Sequence, residues 1–358
     1  MSYTPTFFFF LTEGKIVAHN LTTQKYYEID QKTFEKFKIL SGKGKTELSE
    51  KDLIDFQELG FDETSLKVIW EGDLPSHIVH QASRIRSPNT PRLSDEEYVN
   101  LYTELSANIS QIPEKERIEG DILQLPEPSL DIFEGISLAH CFRQRKTSRE
   151  FVSKPIELNQ ISNILFSCFG PIHGEKTTEL SELGIRDVVL RRSSPSATGL
   201  ASCDAVLWSN NINGLENGLY SYDESNHTLI KHPQKMTEEE CVYALFDQFW
   251  LQNLASGIFI VNDMRRTWIK DIKCRGYLAS LMECGHLSQN ILLSATAYNL
   301  ETWISGAFRD DFLQEKLSLP DYRFVSLFTG IGHGTGRMLS QHYIDLLEKR
   351  ESTFPVNG

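Results

Sequence analysis

Four basic side chains, Arg143, Arg145, Lys146 and Arg149, fall within seven residues of a chain whose formal net charge is -13. Crowding like charges is unfavourable unless an anion compensates them. The planar donor fork of arginine matches phosphate oxygens, and Thr147 and Ser148 set hydroxyl donors between the cations. Phosphate binding is the chemistry this cluster suits; a solvated basic turn among acidic neighbours is the plainer alternative. A second constellation is Arg191 to Gly199, in which Pro195, Ser196 and Gly199 form a turn that lets backbone approach a flat ring or its polar edge. A third runs from Arg275-Gly276-Tyr277 to Glu283, Gly285, His286, Gln289 and Asn290. It puts polar groups and a close-approach point on an otherwise apolar helix. A single histidine there is more often a satisfied core residue than a base.

The remaining composition excludes several classes. With 358 residues, 40% hydrophobic and 24% charged, the chain is ordinary for a globular protein and long enough to bury a large core. The acidic balance argues against a nucleic-acid partner. No apolar run reaches transmembrane length, and Phe7 to Leu11 is too short for a signal segment. Cys141, Cys168, Cys203, Cys241, Cys274 and Cys284 stand singly, with no C-x-x-C pair. That pattern gives no metal site and reads as free thiols in a reducing cytoplasm.

Three segments must position these residues. In 1–75, strands at Phe7–Thr12, Lys15–Asn20 and Lys25–Ile29 precede helices at Thr33–Ser41 (ended by Gly42 and Gly44) and after Ser49 (ended by Gly60). A short strand follows at Leu66–Trp70. The pattern is similar to a winged-helix module. Peptide recognition and a packing or dimerisation role both fit it. Residues 76–129 form a Pro-rich connector with one helix from Asp95 to about Ile109. From 130 to 358 the chain is denser, mixed α and β. It has a helix through Leu158, Ile161, Leu165 and Cys168, and strands at Ala205–Trp208, Gly218–Tyr222, Thr228–Lys231, Gly257–Val261 and Phe324–Thr329. Helices are expected at Glu238–Leu254, Leu278–Leu300 and His342–Lys349. The 278–300 helix carries Leu278, Leu281, Met282, Gly285, Leu292 and Ala295 on one face and is apolar on the other too. A helix apolar nearly all round belongs in a core or an interface, so a homodimer is expected.

In order, these pieces resemble the SagB-type dehydrogenases. Arg145, Thr147, Arg149 and Phe151 match that family's R-x-S-x-R-x-F motif. Pro195, Ser196 and Gly199 match P-S-x-G-G, with Thr198 in place of one glycine. Gly218 to Asp223 matches G-L-Y-x-Y-D, Arg275 to Tyr277 matches R-G-Y, and Glu283 to Asn290 matches E-x-G-H-x-x-Q-N. The likeness covers roughly 130–335, and Ile122 to Pro126 is similar to the family's opening segment.

The resemblance implies an α+β fold, a nitroreductase-like FMN-binding sandwich with an N-terminal winged-helix-like module. Two subunits would build two FMN sites at their interface. Arg145, Thr147 and Arg149 would hold the flavin phosphate and ribityl side, with Arg337 as a further phosphate contact. Ser196 and its neighbours Pro195 and Gly199 would come from the partner subunit, and Gln289 and Gly306 would lie by the cofactor. The implied activity is oxidation of thiazolines or oxazolines to azoles in a ribosomal precursor peptide, beside a partner cyclodehydratase. The flavin takes the hydride and the protein supplies a proton acceptor. Azoline oxidases carry a Lys-Tyr pair just before R-G-Y, where this chain reads Asp271-Ile272 between Lys270 and Lys273. Asp271 or Lys273, with Tyr277 near, is therefore the expected proton-handling group. A nicotinamide-dependent reductase and a non-catalytic partner subunit on the same scaffold stay open.

Overall fold

The structure, a computed structural model, describes residues 7–20, 25–41, 48–58, 73–85, 92–107, 118–173, 192–196 and 199–353. The expected Leu66–Trp70 strand and the glycines Gly42, Gly44 and Gly60 lie outside these residues. The chain divides into two compact units, Met1–Val99 with Lys273–Arg275, and Asn100–Ile272 with Gly276–Gly358.

In the first unit β1 (Phe7–Thr12), β2 (Lys15–Asn20) and β3 (Lys25–Ile29) form an antiparallel sheet in that order. The β1–β2 turn uses Glu13 and Gly14, both at positive φ. Helices Gln31–Ser41 and Glu50–Glu58 pack on it. Ser49 accepts from the Asp52 N–H at 3.2 Å, as an N-cap does. Ala18, Phe37 and Phe56 are the buried centre, with Phe9, Tyr27 and Leu53 around them. A helix not expected from the sequence spans Leu74–Ala82; Asp73 caps it by accepting from the Ser76 N–H at 3.0 Å.

The second unit is built on an eight-stranded antiparallel sheet. Its strands are β4 (Ile122–Gln124), β5 (Phe151–Val152), β7 (Cys203–Ser209), β9 (Gly218–Asp223), β10 (Thr228–Lys231), β11 (Ser256–Asp263), β12 (Glu301–Ser305) and β13 (Arg323–Gly334). The order is β12-β13-β11-β7-β9-β10-β4, with β5 paired to the far end of β13. A separate parallel pair joins β6 (Ile156–Glu157) to β8 (Ile212–Asn213). The central strands alternate between two cores. Cys203, Ala205, Leu207, Ile258 and Ile260 face one; Val206, Trp208, Phe259 and Val261 face the other. Helices cover both sides of the sheet, so its middle strands read as continuous apolar runs. Helices Leu158–Phe169 and Cys274–Ala297 cover the first face, and helices Glu238–Ala244 and Asp310–Lys316 the second.

One expected helix needs correction, and the phase of another becomes clear. The Glu238–Leu254 helix ends at Ala244. Phe246 and Asp247 then take positive φ, which no helix tolerates, and only a single 3-10 turn forms at Phe249–Leu251. In the long helix, the core face is Cys284, Leu287, Ile291 and Ala295. Of the face expected to lie in a core or an interface, Leu292 and Ala295 are buried, whereas Met282 and Gly285, with His286 and Gln289 beside them, are exposed in this chain. An apolar count around the helix cannot fix its phase when both faces carry leucines.

Candidate active site

The basic motif forms a loop between helix Leu138–Gln144 and β5, and it is held to two other segments. Thr147 bridges Thr302 at the start of β12, and the Ser148 N–H donates to the Thr302 carbonyl at 3.0 Å. The Arg149 N–H donates to the Arg337 carbonyl and its Nη1 to the Met338 carbonyl, both at 3.3 Å. Sequence positions nearly two hundred residues apart are thus joined, because β13 runs on past β12 to reach β5.

Charge is distributed unevenly in this loop. Lys146 lies 3.8 Å from Glu301, and Arg337 lies 3.7 Å from Glu150 while donating to Gln341 at 2.9 Å. Glu150 also accepts from the Gln341 N–H and the Thr335 hydroxyl. These contacts hold its carboxyl below the usual range, with Arg337 adding to the effect. Arg145 and Arg149, both half-buried, have no carboxylate partner among the described residues. Arg149 instead lies over the Trp250 ring, whose buried Nε1 has no acceptor among the described residues. Two guanidinium groups with no carboxylate partner among the described residues, in one loop of a chain with excess acid, suit an anion such as a phosphate, and the buried Trp250 N–H beneath Arg149 is a further donor.

The Pro-Ser turn gathers elsewhere in this unit. Ser196 Oγ donates to the buried Glu283 at 2.8 Å and accepts the Ala201 N–H at 3.1 Å; Ser202 Oγ donates to Glu283 at 3.0 Å. His286 Nδ1 is 3.4 Å from the Pro195 carbonyl, and Asn290 donates to Ser194 at 2.9 Å. Gly199 has φ +68, so a side chain there would be strained although space is open. Glu283, His286 and Asn290 recur at helical spacing, which is why one helix face can hold Ser194, Pro195, Ser196 and Ser202. Gln289 sits beside them, exposed.

The other expected residues lie on other segments of the chain. Gly306 follows β12 in a turn held by Gln248, which donates to Ser305 and to the Ala307 carbonyl at 3.2 Å. An added Cβ at Gly306 would meet only Leu327, at 3.7 Å. Asp271 is half-buried, Ile272 and Lys273 are exposed, and the Tyr277 ring packs 5.7 Å from Phe324. Lys270 is the residue that sequence reasoning left in the background. Its ammonium stands over Tyr102 at 5.6 Å and 4.0 Å from where a Gly199 Cβ would be, and burial lowers its pKa. Trp250, Gln248 and Arg266 were missed as well, since each lies in a segment with no motif. Among the described residues there is no metal-binding cluster and no helix long and apolar enough to cross a membrane.

Residues 142–333, more than half of the chain, match the model of the Nitroreductase family. The chain belongs to the nitroreductase family. Its second unit is accordingly a nitroreductase-like α+β sandwich, a fold of flavin oxidoreductases. This nitroreductase-family chain is 26% identical over 211 residues to a Methanocaldococcus jannaschii protein carrying the nitroreductase name. That match covers 59% of this chain and 98% of the other. A solved structure from Anabaena variabilis, also named a nitroreductase, is 20% identical, covering 69% of this chain and 49% of that one, with a TM-score of 0.49. A chain of the E. coli microcin synthetase McbBCD complex, solved with truncated pro-MccB17 bound, is 19% identical. It covers 67% of this chain and 97% of that one, with a TM-score of 0.43.

Proposed function

We propose that this protein is a cytoplasmic, homodimeric FMN-dependent oxidoreductase that oxidises azolines to azoles in a ribosomal precursor peptide, alongside a cyclodehydratase. The carrying observation is the pair Arg145 and Arg149. Neither has a carboxylate partner among the described residues, and both sit in the loop whose motif resembles the SagB-type dehydrogenases. These arginines and Thr147 would hold the FMN phosphate, with Arg337 at the rim. Pro195, Ser196, Gly199, Gln289 and Gly306 would border the ring system. Bound FMN supplies the hydride acceptor.

The chain's own residues bind, orient and take the proton. Arg149 is already held by the Trp250 ring and the Met338 carbonyl, so less rotamer freedom is lost on binding a phosphate. Asp271 or Lys273 accepts the substrate proton, and Tyr277 assists. We infer that residues 1–75 form a peptide-recognition module joined by 76–129 to the flavin domain 130–358. Asp271-Ile272 at the Lys-Tyr position, with Ile272 exposed, favours one second reading: a nicotinamide-dependent reductase of a peptide or small electrophile.

Anaerobic mixing tests the choice. A thiazoline-containing precursor peptide should bleach the flavin absorbance, while NADH and NADPH should not. Rapid bleaching by a nicotinamide and none by the peptide would support the reductase instead. Deleting 1–75 should impair turnover of the full precursor while leaving flavin content intact.

A further inference from the structure

The backbone at Gly199–Ser202 is held in a conformation that Ala201 does not favour. Gly199 and Ala201 both have positive φ, and alanine pays a steric cost there that glycine does not. Such strain persists only where the surroundings over-determine it, and it concentrates at functional sites. Here the surroundings are two buried groups of opposite charge on different elements. Glu283, 3% exposed on the long helix, accepts from Ser196 and Ser202, and Ser196 in turn takes the Ala201 N–H. Arg266, 5% exposed in helix Met264–Trp268, donates Nη1 to the Ala201 carbonyl at 2.7 Å. Ala201 is therefore gripped at both its N–H and its C=O. Arg266 is charge-balanced by Asp204 at 3.6 Å, which pairs with Arg323 at 3.0 Å. Burying a carboxylate on a core-facing helix position is costly, and an apolar residue would fill that place more cheaply.

We propose that Glu283 and Arg266 are positioning residues that hold Ser196 against Gly199–Ser202 with Ala201 in its strained form, presenting Ser196 and Gly199 to the ligand. The ligand's identity as FMN rests on the function proposed above; the clamp itself does not. Glu283 acts through the two serine hydroxyls, and Arg266 through the backbone of Ala201. The hold is specific to this turn, so its loss leaves the sheet and the long helix formed.

The test is hydrogen exchange on the full chain, with and without added FMN, in wild type, Glu283→Ala, Glu283→Gln and Ser196→Ala. Loss of charge-assisted hydrogen bonds, one in Ser196→Ala and two in Glu283→Ala, should speed exchange across 199–202 about tenfold or more. Exchange in 203–209 and 287–295 should stay at the wild-type rate. Glu283→Gln, which keeps one acceptor oxygen, should restore part of the protection. In loaded protein, quenching of flavin fluorescence should weaken in the same order. Wild-type exchange across 199–202 in Ser196→Ala and either Glu283 variant would overturn the clamp, as would loss of protection spread evenly over the unit. If Glu283→Ala does not fold, Ser196→Ala and Glu283→Gln decide. A wild type that never binds FMN, with the exchange pattern as expected, would remove the flavin reading and leave the clamp standing.

Discussion

The Arg149 guanidinium carbon lies 5.8 Å from the centroid of the Trp250 ring. Its Nη1 donates to the Met338 carbonyl, and among the described residues no carboxylate neutralises it. Arg149→Ala should therefore strip the flavin, removing a charge-assisted contact of about 1.5–3 kcal/mol, roughly a 10–150-fold loss of affinity. Arg149→Lys should rescue little, since an ammonium neither stacks nor forks. Flavin absorbance per chain after gel filtration checks both; an Arg149→Ala protein that purifies fully yellow would contradict the assignment.

The exposed stripe Met282, Gly285, His286 and Gln289 should be covered by a second subunit. An added Cβ at Gly285 meets nothing within 4 Å, so Gly285→Ala should leave the subunit fold intact. Gly285→Arg should shift the protein from dimer to monomer in light scattering. A wild-type protein that is monomeric, folded and flavin-loaded would refute the dimer.

All six cysteines are free, and five are buried. Burial raises the thiols of Cys168, to about 12, and Cys241. Cys203 is also raised well above the ordinary value, whereas Cys284, receiving its hydrogen bond, is lowered. A thiol-specific chromogen should titrate only the half-buried Cys274 in native protein and all six after denaturation. Ready reaction of a second thiol in native protein would show that one of the segments burying the other five opens.

His232 is buried against Ser221 at 2.9 Å, and burial, with Arg323 nearby, pushes its pKa down to about 4. Unfolded, the imidazole takes its proton near 6.5. Between those values the unfolded chain binds more protons, so stability falls as pH drops through the window and levels off beneath it. This histidine alone contributes at most about 3 kcal/mol to that loss. Tm should decline from pH 6.5 to 4, with a shallower slope in His232→Gln; an unchanged slope would assign the loss to other groups.

The strands of the second unit were legible in the sequence because β7 and β11 are short apolar runs bounded by turn residues. The Asn213-Gly214 turn was legible because Gly214 needs its positive φ. The helix after Glu238 was over-extended because Val242, Leu245, Phe249 and Leu251 keep an apolar rhythm through a turn whose strain no local residue type announces. The basic loop showed itself by charge density. Its supports did not, since Trp250, Thr302 and Met338 meet it only through the topology of β12 and β13. Glu283 stood in a quoted motif, but its partners Ser196 and Ser202 lie more than eighty residues away.

Asp271 and Lys273 should separate under substitution. If either is the proton acceptor, its alanine variant should slow peptide-dependent flavin reduction about a hundredfold or more with flavin content unchanged. Lys270→Ala belongs beside them, because its ammonium is the one that burial weakens. Wild-type rates in both Asp271→Ala and Lys273→Ala would move the base elsewhere.

The most direct measurement is an FMN titration of the purified full-length protein, followed by fluorescence quenching and by absorbance after gel filtration. One non-covalently bound FMN per chain, lost in Arg149→Ala, is the expected result. A colourless protein that cannot be loaded with FMN, although folded, would contradict the account at its centre.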